Sequence, residues 1–198
     1  MELSARIAGP ADLDAVVETI ALAFYDDPVW SFAFDDETRR AAQFRRWWPM
    51  FVESALPHGW VWIGTHAETV AVWTPPGVPE LAPEAEARIP ALLDELLGDR
   101  APLVLQGLLQ FGAAHPHDEP HYYLSFVATH DGHRGHGIGE RLLAQNLELI
   151  DAEHVPAYLE SSNPKNLARY ERLGFRPLND FDFAPGGPTV TTMWRPAR

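Results

Sequence analysis

The pattern of apolar and polar positions predicts a chain in which short strands alternate with helices. Runs rich in aromatic and β-branched residues predict strands, and apolar stripes at helical spacing predict helices. The predicted strands cover residues 6–8, 61–64, 69–73, 122–129, 155–160, 175–183 and 189–194. The predicted helices cover residues 10–25, 36–56, two short segments within 91–112, 138–153 and 164–173. This order of elements is typical of an α/β or α+β protein.

The chain is organised around the strand 122–129, the glycine-rich turn after it and the helix that starts near Ile138. Glycines let the backbone approach a ligand closely, and the first N–H groups of a helix have no partner inside the helix. Those N–H groups also carry the positive end of the helix macrodipole. Arg134 adds a planar cation that suits phosphate oxygens. We therefore predict an anion-binding site in this turn.

The turn matches neither of two common phosphate-binding patterns. A Walker loop requires Gly-Lys-Ser/Thr after its spacer, and the chain has none. A dinucleotide-binding pattern that starts at Gly135 fails at its sixth position, which is Glu140. What the chain contains is Arg-x-x-Gly-x-Gly, formed by Arg134, Gly137 and Gly139. By itself this hexapeptide is consistent with a phosphate site or with an ordinary glycine-rich turn.

Composition excludes several classes of function. The 198 residues, 46% of them hydrophobic, suit one domain with a sizeable core. The absence of cysteine excludes disulfides, thiolate zinc sites and cysteine nucleophiles. A net charge of −13 argues against nucleic acid and anionic membranes as partners, and it is compatible with a cationic substrate such as an amine. With no apolar run of membrane-spanning length and no secretory signal, we expect a cytoplasmic protein.

Several polar groups are predicted to have no special role. Asp26 and Asp27 are interpreted as solvated turn residues, with an amine-facing role as the alternative. The arginines within 39–46 are interpreted as a solvated basic patch. The proline-rich stretch 74–90 is either a substrate loop or a linker inside the domain. No metal site is expected, because no common zinc pattern fits the spacing of His115, His117, His121, His130, His133 and His136.

A second motif occupies residues 163–175, where Asn163 is predicted to cap a helix and Gly174 to end it. Together with Arg134–Gly139, this motif resembles the signatures of the GNAT acetyltransferase superfamily. The resemblance implies a mixed, mostly antiparallel sheet of six to seven strands, flanked by helices and splayed at an acetyl-CoA cleft. It also implies one N-acetyltransferase domain over residues 1–198, with 1–120 on the substrate side and 121–198 on the acetyl-CoA side.

The resemblance also implies roles for individual residues. Tyr170 would protonate the departing thiolate; the alternative is an ordinary core tyrosine. Backbone groups at the end of the central strand would hold the pantetheine arm and polarise the acetyl carbonyl. Asn163 is either a cofactor contact or only a helix cap. The residues implied to bind acetyl-CoA are Phe126, Val127, Thr129, Arg134, Gly135, His136, Gly137, Ile138, Gly139, Glu140, Asn163 and Asn166.

Four further segments resemble puromycin N-acetyltransferase and its relatives, which acetylate an exposed amine of a small antibiotic. These segments are 71–75, 119–120, 155–161 and 170–175. The resemblance implies an antibiotic such as puromycin as acceptor, and hence a role in antibiotic resistance. The chain departs from the family at Thr129 and Asp131, where valine and proline are common. Asp131 would place a negative charge beside the phosphate loop unless His133 or Arg134 offsets it.

We therefore predict direct transfer of an acetyl group from acetyl-CoA to a primary amine of a small molecule. A base must take the proton of the incoming ammonium. Glu160 is the first candidate, followed by Asp27 and His121, and the alternative for Glu160 is a structural residue at a strand end. A second hypothesis is a non-catalytic acyl-CoA-binding or sensor domain. The protein is expected to be a monomer or a homodimer.

Overall fold

The computed structural model describes residues 4–198, in which seven strands form one sheet. Residues 1–3, which belong to the N-terminal segment considered above for a secretory signal, lie outside the described residues. The strands are β1 (Ala5–Ile7), β2 (Val61–Gly64), β3 (Thr69–Thr74), β4 (Tyr122–Thr129), β5 (Ala157–Ser161), β6 (Arg176–Asp182) and β7 (Thr189–Arg195). The helices are α1 (Leu13–Ala23), α2 (Pro28–Ala33), α3 (Glu37–Trp47), α4 (Pro49–Ala55), α5 (Pro83–Glu86), α6 (Ile89–Leu97), α7 (Ala101–Ala114), α8 (Ile138–Ala152) and α9 (Leu167–Arg172).

The sheet has the order β1-β2-β3-β4-β5-β7-β6, and β4–β5 is the parallel pair in an otherwise antiparallel arrangement. The predicted mixed, mostly antiparallel sheet flanked by helices is confirmed. Pairing between β4 and β5 ends at Leu124 and Leu159, although β4 continues to Thr129. The sheet is therefore open between β4 and β5 beyond Leu124 and Leu159, their last paired residues.

Two apolar cores cover the two faces of the sheet. The first core joins one face to α1, α3, α4, α6 and α7, and it contains Trp48 and Phe51. The second core joins the other face to α8, with Leu142 and Leu143 at its centre. The apolar stripe that predicted α8 is buried along its whole length, which confirms that helix. No helix within residues 4–198 is both long and apolar enough to cross a membrane.

A β-bulge in β4 changes the face to which its side chains point. The adjacent residues Val72 and Trp73 of β3 pair with Phe126 and Leu124, so Ser125 is the extra residue. Leu124 packs in the second core, whereas Phe126 packs in the first core. Every second residue of 122–129 is buried on both sides of the bulge, although the buried side chains change from one face of the sheet to the other. The alternation therefore predicted the strand but gave no sign of the bulge. The bulge places Ser125 where the strands open.

The predicted helix over 36–56 is wrong in its length, because Pro49 divides it into α3 and α4. Proline lacks an N–H group, so it interrupts one helix and starts the next at its first position. The structure also contains α2, which the sequence analysis missed. Its N-cap is Asp27, whose side chain accepts the amides of Val29 and Trp30. The prediction that Asp27 is solvated is wrong, since this residue is 7% exposed.

The predicted basic patch is only partly solvated. Arg40 is buried, and its guanidinium donates to the carbonyl oxygens of Phe34 at 2.7 Å and Tyr25 at 3.2 Å. Arg45 and Arg46 do lie on the surface, where each forms an ion pair with a glutamate. Arg40 therefore tethers the segment between α2 and α3, because its charge is held by backbone carbonyls.

Candidate active site

The separation of β4 from β5 opens a cleft of about 1390 Å³. Its walls include the segment 74–81 after β3 and the segment 111–121 that leads from α7 to β4. The proline-rich stretch, predicted as a substrate loop or a linker, thus supplies part of the wall. Phe126, Val127 and Asn166 also border the cleft. Its volume is sufficient for a drug-sized ligand.

The turn between β4 and α8 presents a row of backbone amides. Within residues 4–198, the amides of 135–140 donate to no protein acceptor, whereas the amide of Arg141 bonds the carbonyl of Gly137 at 3.1 Å. Gly135 and Gly137 have φ angles of +81° and +68°, in the left-handed region that glycine tolerates. A Cβ atom on Gly139 would lie 2.8 Å from Thr129 Oγ1. The predicted anion site therefore has suitable donors at a helix N-terminus.

The charged side chains of this turn are paired with each other or with nearby groups. The Arg134 guanidinium lies 2.8 Å from an Asp131 carboxylate oxygen and donates to the carbonyl of Ala23, at the end of α1, at 3.0 Å. Arg134 thus offsets the charge of Asp131. Arg172 binds the Glu140 carboxylate at 2.8 Å and lowers its pKa. The backbone amides of 135–140 are therefore left without a protein partner among the described residues and are available to a ligand.

Tyr170 lies on α9 and borders the cleft. The Asn163 side chain accepts the amide of Lys165 at 3.1 Å and caps the turn that leads into α9, while Gly174, with φ +95°, follows the helix. The Tyr170 ring packs against Phe175 with 6.2 Å between ring centroids. Burial raises the pKa of Tyr170 to about 12, so its hydroxyl is protonated at neutral pH. It is a proton donor at the cleft surface.

Glu160 lies near the end of β5 with its side chain only 2% exposed. Its Oε1 atom has no hydrogen-bond partner among the described residues, and it lies 3.7 Å from His115 Nδ1. Tyr123 and Tyr158 are close by. Burial, together with the charge of Glu160, raises the pKa of both tyrosine hydroxyls above their usual range. Because a buried oxygen without a donor is costly, Glu160 Oε1 is available to a proton or a ligand.

Glu80 is a second carboxyl group in the cleft, and the sequence analysis missed it. It lies in the proline-rich segment after β3, near Ser125 of the bulge. Burial, and then the charge of Glu160, raises the pKa of Glu80 to about 8. The sequence around Glu80 does not reveal this shift, because the groups that bury the carboxyl and raise its pKa belong to β4 and β5, far away along the chain.

The two other candidate bases have different surroundings. The Asp27 carboxylate caps α2 and accepts the Ser162 hydroxyl at 2.7 Å, and burial raises its pKa. Its hydrogen bonds give it a structural role, joining α2 to the end of β5. His121 borders the cleft, and its Nε2 lies 3.1 Å from Nε2 of His115. Burial lowers the pKa of His121.

The structure brings part of the predicted site to the cleft. Phe126, Val127, Glu160, Asn166 and Tyr170 border it, whereas the loop 134–140 lies outside its lining. In the described part of the chain, no group of three or more histidine, cysteine, aspartate or glutamate side chains is placed to hold a metal ion.

Residues 21–175 match the model of the acetyltransferase (GNAT) family. A histone acetyltransferase HPA2 and related acetyltransferase from Corynebacterium glutamicum is 24% identical, with a TM-score of 0.66 over 100% of this chain and 98% of that one. The polyamine N-acetyltransferase of Drosophila melanogaster, which forms N-acetylagmatine, is 14% identical, with a TM-score of 0.67 over 98% and 100% of the chains. A NatC complex bound to a Gag peptide and CoA is 14% identical, with a TM-score of 0.55 over 100% of both chains. At these identities the structural likeness establishes the fold.

Proposed function

Because this chain belongs to the acetyltransferase (GNAT) family, we propose that it moves an acetyl group from acetyl-CoA directly to a primary amine of a small molecule. The chain is an acyltransferase, and acetyl-CoA is the donor that its family uses. The observation that carries the proposal is that Tyr170 and Glu160, a protonated hydroxyl and a carboxyl group, border one cleft where β4 and β5 separate.

The residues present fit acetyl-CoA. The unpartnered amides of 135–140 suit its pyrophosphate, as donors at the N-terminus of α8. The edge of β4 beyond Leu124 has no strand partner on the side of β5, so Phe126, Val127 and Thr129 can meet an extended amide-containing arm. Acetyl-CoA, when bound, supplies the thioester acetyl group and a thiolate leaving group.

We propose Tyr170 as the general acid. Its raised pKa keeps the proton on the hydroxyl until a strong base forms beside it. In this proposal Asn166 contacts the pantetheine arm, because it borders the cleft next to α9. Asn163 serves as the helix cap, since its side-chain oxygen is already used.

We propose Glu160 as the base that takes the proton of the incoming ammonium. Its buried Oε1 atom lacks a hydrogen-bond donor among the described residues, and an ammonium supplies one. Glu80 places a second carboxyl group in the same cleft, and an acceptor that arrives as a cation would favour its ionised form. Puromycin is the first acceptor to test, from the resemblance in sequence, and agmatine is the second, from the Drosophila melanogaster enzyme.

In this proposal residues 1–198 form one N-acetyltransferase domain. Residues 1–120 select the acceptor and 121–198 bind acetyl-CoA, which matches the positions of Glu80 and the amide loop. We also propose a cytoplasmic antibiotic-resistance enzyme that needs neither nucleic acid nor membrane. The alternative is an acyl-CoA sensor, which would bind acetyl-CoA without turnover.

The test is release of CoA thiol from acetyl-CoA with puromycin, agmatine and other primary amines. The protein contains no cysteine, so it adds no background to a thiol reagent. Release with puromycin supports both the reaction and the antibiotic acceptor, whereas release with another amine alone removes the antibiotic. Acetyl-CoA binding without release for every amine would favour the sensor.

Tyr170→Phe tests the acid role. The variant should bind acetyl-CoA as the wild type does and should turn over at least about tenfold more slowly, because it lacks the proton donor. Tyr25→Phe is the control, since the Tyr25 hydroxyl donates to the Glu37 carbonyl and Tyr25 does not border the cleft. Turnover of Tyr170→Phe equal to that of Tyr25→Phe would remove Tyr170 from the mechanism.

A further inference from the structure

A chain of polar contacts leads from Glu160 to the segment before β4. Glu160 Oε1 lies 3.7 Å from His115 Nδ1. His115 Nε2 lies 3.1 Å from His121 Nε2, and His121 Nδ1 lies 2.7 Å from the carbonyl oxygen of Glu119. The His115 side chain is 25% exposed, whereas that of Glu160 is 2% exposed. This series of contacts therefore connects the buried carboxyl group of Glu160 to His115, which reaches solvent.

The direction of each hydrogen bond follows from the chemistry of its two atoms. A carbonyl oxygen only accepts, so His121 Nδ1 carries a proton. Burial lowers the pKa of His121 and favours its neutral form, in which Nε2 is an acceptor. His115 Nε2 must then donate to it. In neutral His115 the remaining nitrogen, Nδ1, is a lone-pair acceptor that faces Glu160 Oε1.

Two acceptors facing each other in a buried site are satisfied by one shared proton. The proton resides either on Oε1, which then donates to Nδ1, or on Nδ1, which then donates to Oε1. Glu160 Oε1 has no other hydrogen-bond partner among the described residues. The 3.7 Å separation is long for a hydrogen bond, and such contacts tighten when a proton arrives.

We propose that His115 carries the acceptor's proton from Glu160 to solvent, and that His121 holds His115 in the tautomer this transfer requires. The inference rests on the proposed function, in which Glu160 is the base. An N–H bond of the ammonium breaks as an O–H bond forms on Glu160. The carboxyl proton then moves to His115 Nδ1, and the resulting imidazolium releases one proton to water, which leaves the neutral ring with its remaining proton on Nε2. Glu160 is ionised again, and the net change is one proton delivered to solvent.

The surroundings of His115 support a fixed ring orientation. The rings of Tyr123 and Tyr158 pack against it edge-on, each with 4.9 Å between ring centroids. Burial, the charge of Glu160 and hydrogen bonding to the Glu160 carboxylate raise the pKa of both tyrosines, so they remain neutral and do not take up the proton of Glu160. The other titratable groups on the facing elements are Glu80, His117, Asp118, Glu119 and His121. His117, whose ring centroid is 5.7 Å from that of His115, is exposed.

The first test identifies the protonated nitrogens in the whole protein. Nitrogen-15 NMR of the imidazole side chains distinguishes Nδ1–H from Nε2–H without any turnover. We expect His121 to carry its proton on Nδ1 and His115 to carry one on Nε2. A neutral His121 protonated on Nε2, or a His115 whose Nε2 lacks a proton, would overturn the proposal.

The second test compares His115→Gln with His58→Gln, the same change at an exposed histidine outside the lining of the cleft. His115→Gln should lower kcat about tenfold, with an unchanged KM for acetyl-CoA, because the base loses its route for proton release. Added imidazole should restore part of the lost kcat in His115→Gln, and it should have no effect on Tyr170→Phe, where the acid is missing. A role in folding alone would not respond to imidazole.

The outcomes separate this inference from the proposed function. If the wild type releases CoA with an amine and His115→Gln behaves like His58→Gln, the relay is wrong and the acetyltransferase proposal stands. If His115→Gln is slow and imidazole gives no rescue, His115 is structural and the relay is again wrong. If the wild type turns over no amine, the proposed function fails and the relay fails with it.

Discussion

Replacing Glu80 with glutamine should remove a pH dependence from the stability of this protein. Glu80 lies in the wall of the cleft, and burial followed by the charge of Glu160 raises its pKa to about 8. In the unfolded chain the carboxyl group titrates near its ordinary value of 4.5. Between these two values the folded protein keeps a proton that the unfolded chain has lost.

The sign of the effect follows from proton linkage. Because the folded state binds more protons in this range, the free energy of unfolding decreases as pH rises from about 4.5 to about 8. Each pKa unit corresponds to about 1.4 kcal/mol, so full burial would make the total about 5 kcal/mol. Glu80 is partly exposed to the cleft, and water there screens its charge. We therefore expect Glu80 to destabilise the wild type by about 2 kcal/mol at alkaline pH.

The assay is urea denaturation of wild type and Glu80→Gln at about pH 4, below the unfolded pKa, and at about pH 8.5. Glu80→Gln should match the wild type at the lower pH and exceed it by about 2 kcal/mol at the higher pH. Glu84→Gln is the control, since Glu84 is exposed on α5 in the same stretch of chain. An equal pH dependence in wild type and Glu80→Gln would refute the assignment of a raised pKa to Glu80.

Two further predictions concern the amide loop and the cap of α2. Gly139→Ala should weaken acetyl-CoA binding, measured by calorimetry, by about tenfold, because its Cβ would lie 2.8 Å from Thr129 Oγ1. Adding Thr129→Ala should recover part of the affinity, and no recovery would contradict the steric explanation. Asp27→Ala should lower the free energy of unfolding by about 2 kcal/mol, since it removes a helix cap and the hydrogen bond from Ser162. Asp26→Ala, at the exposed neighbouring position, should change it by less than about 0.5 kcal/mol in the same urea titration.

The segments whose signal is local were predictable from the sequence. The amide loop was predictable because glycines at 135, 137 and 139 and the start of α8 are consecutive in the chain. The helix with Tyr170 was predictable because Asn163 caps its first turn and Gly174 ends it. Both segments depend on backbone preferences within a few residues. The buried stripe of α8 likewise follows from its own periodicity.

Errors arose where a local signal had two physical outcomes. Asp27 before a proline is compatible with the end of one helix or with the cap of the next, and the structure has the second. Arg40 belongs to a run of charges that is typical of a solvated face, yet carbonyl oxygens from residues that fold around it satisfy its guanidinium. In each case the deciding groups lie outside the segment that carries the pattern.

The sequence by itself determined the order of the seven strands, the amide loop and the placement of Tyr170 on a capped helix, because these depend on neighbouring residues. Only the tertiary structure decided the proton chemistry of the cleft. Glu80, His115 and Glu160 lie on three different segments, and they meet because β4 and β5 separate beyond a bulge at Ser125. Burial and the charge of Glu160 then raise the pKa of Glu80, and both effects depend on distance in space rather than along the chain.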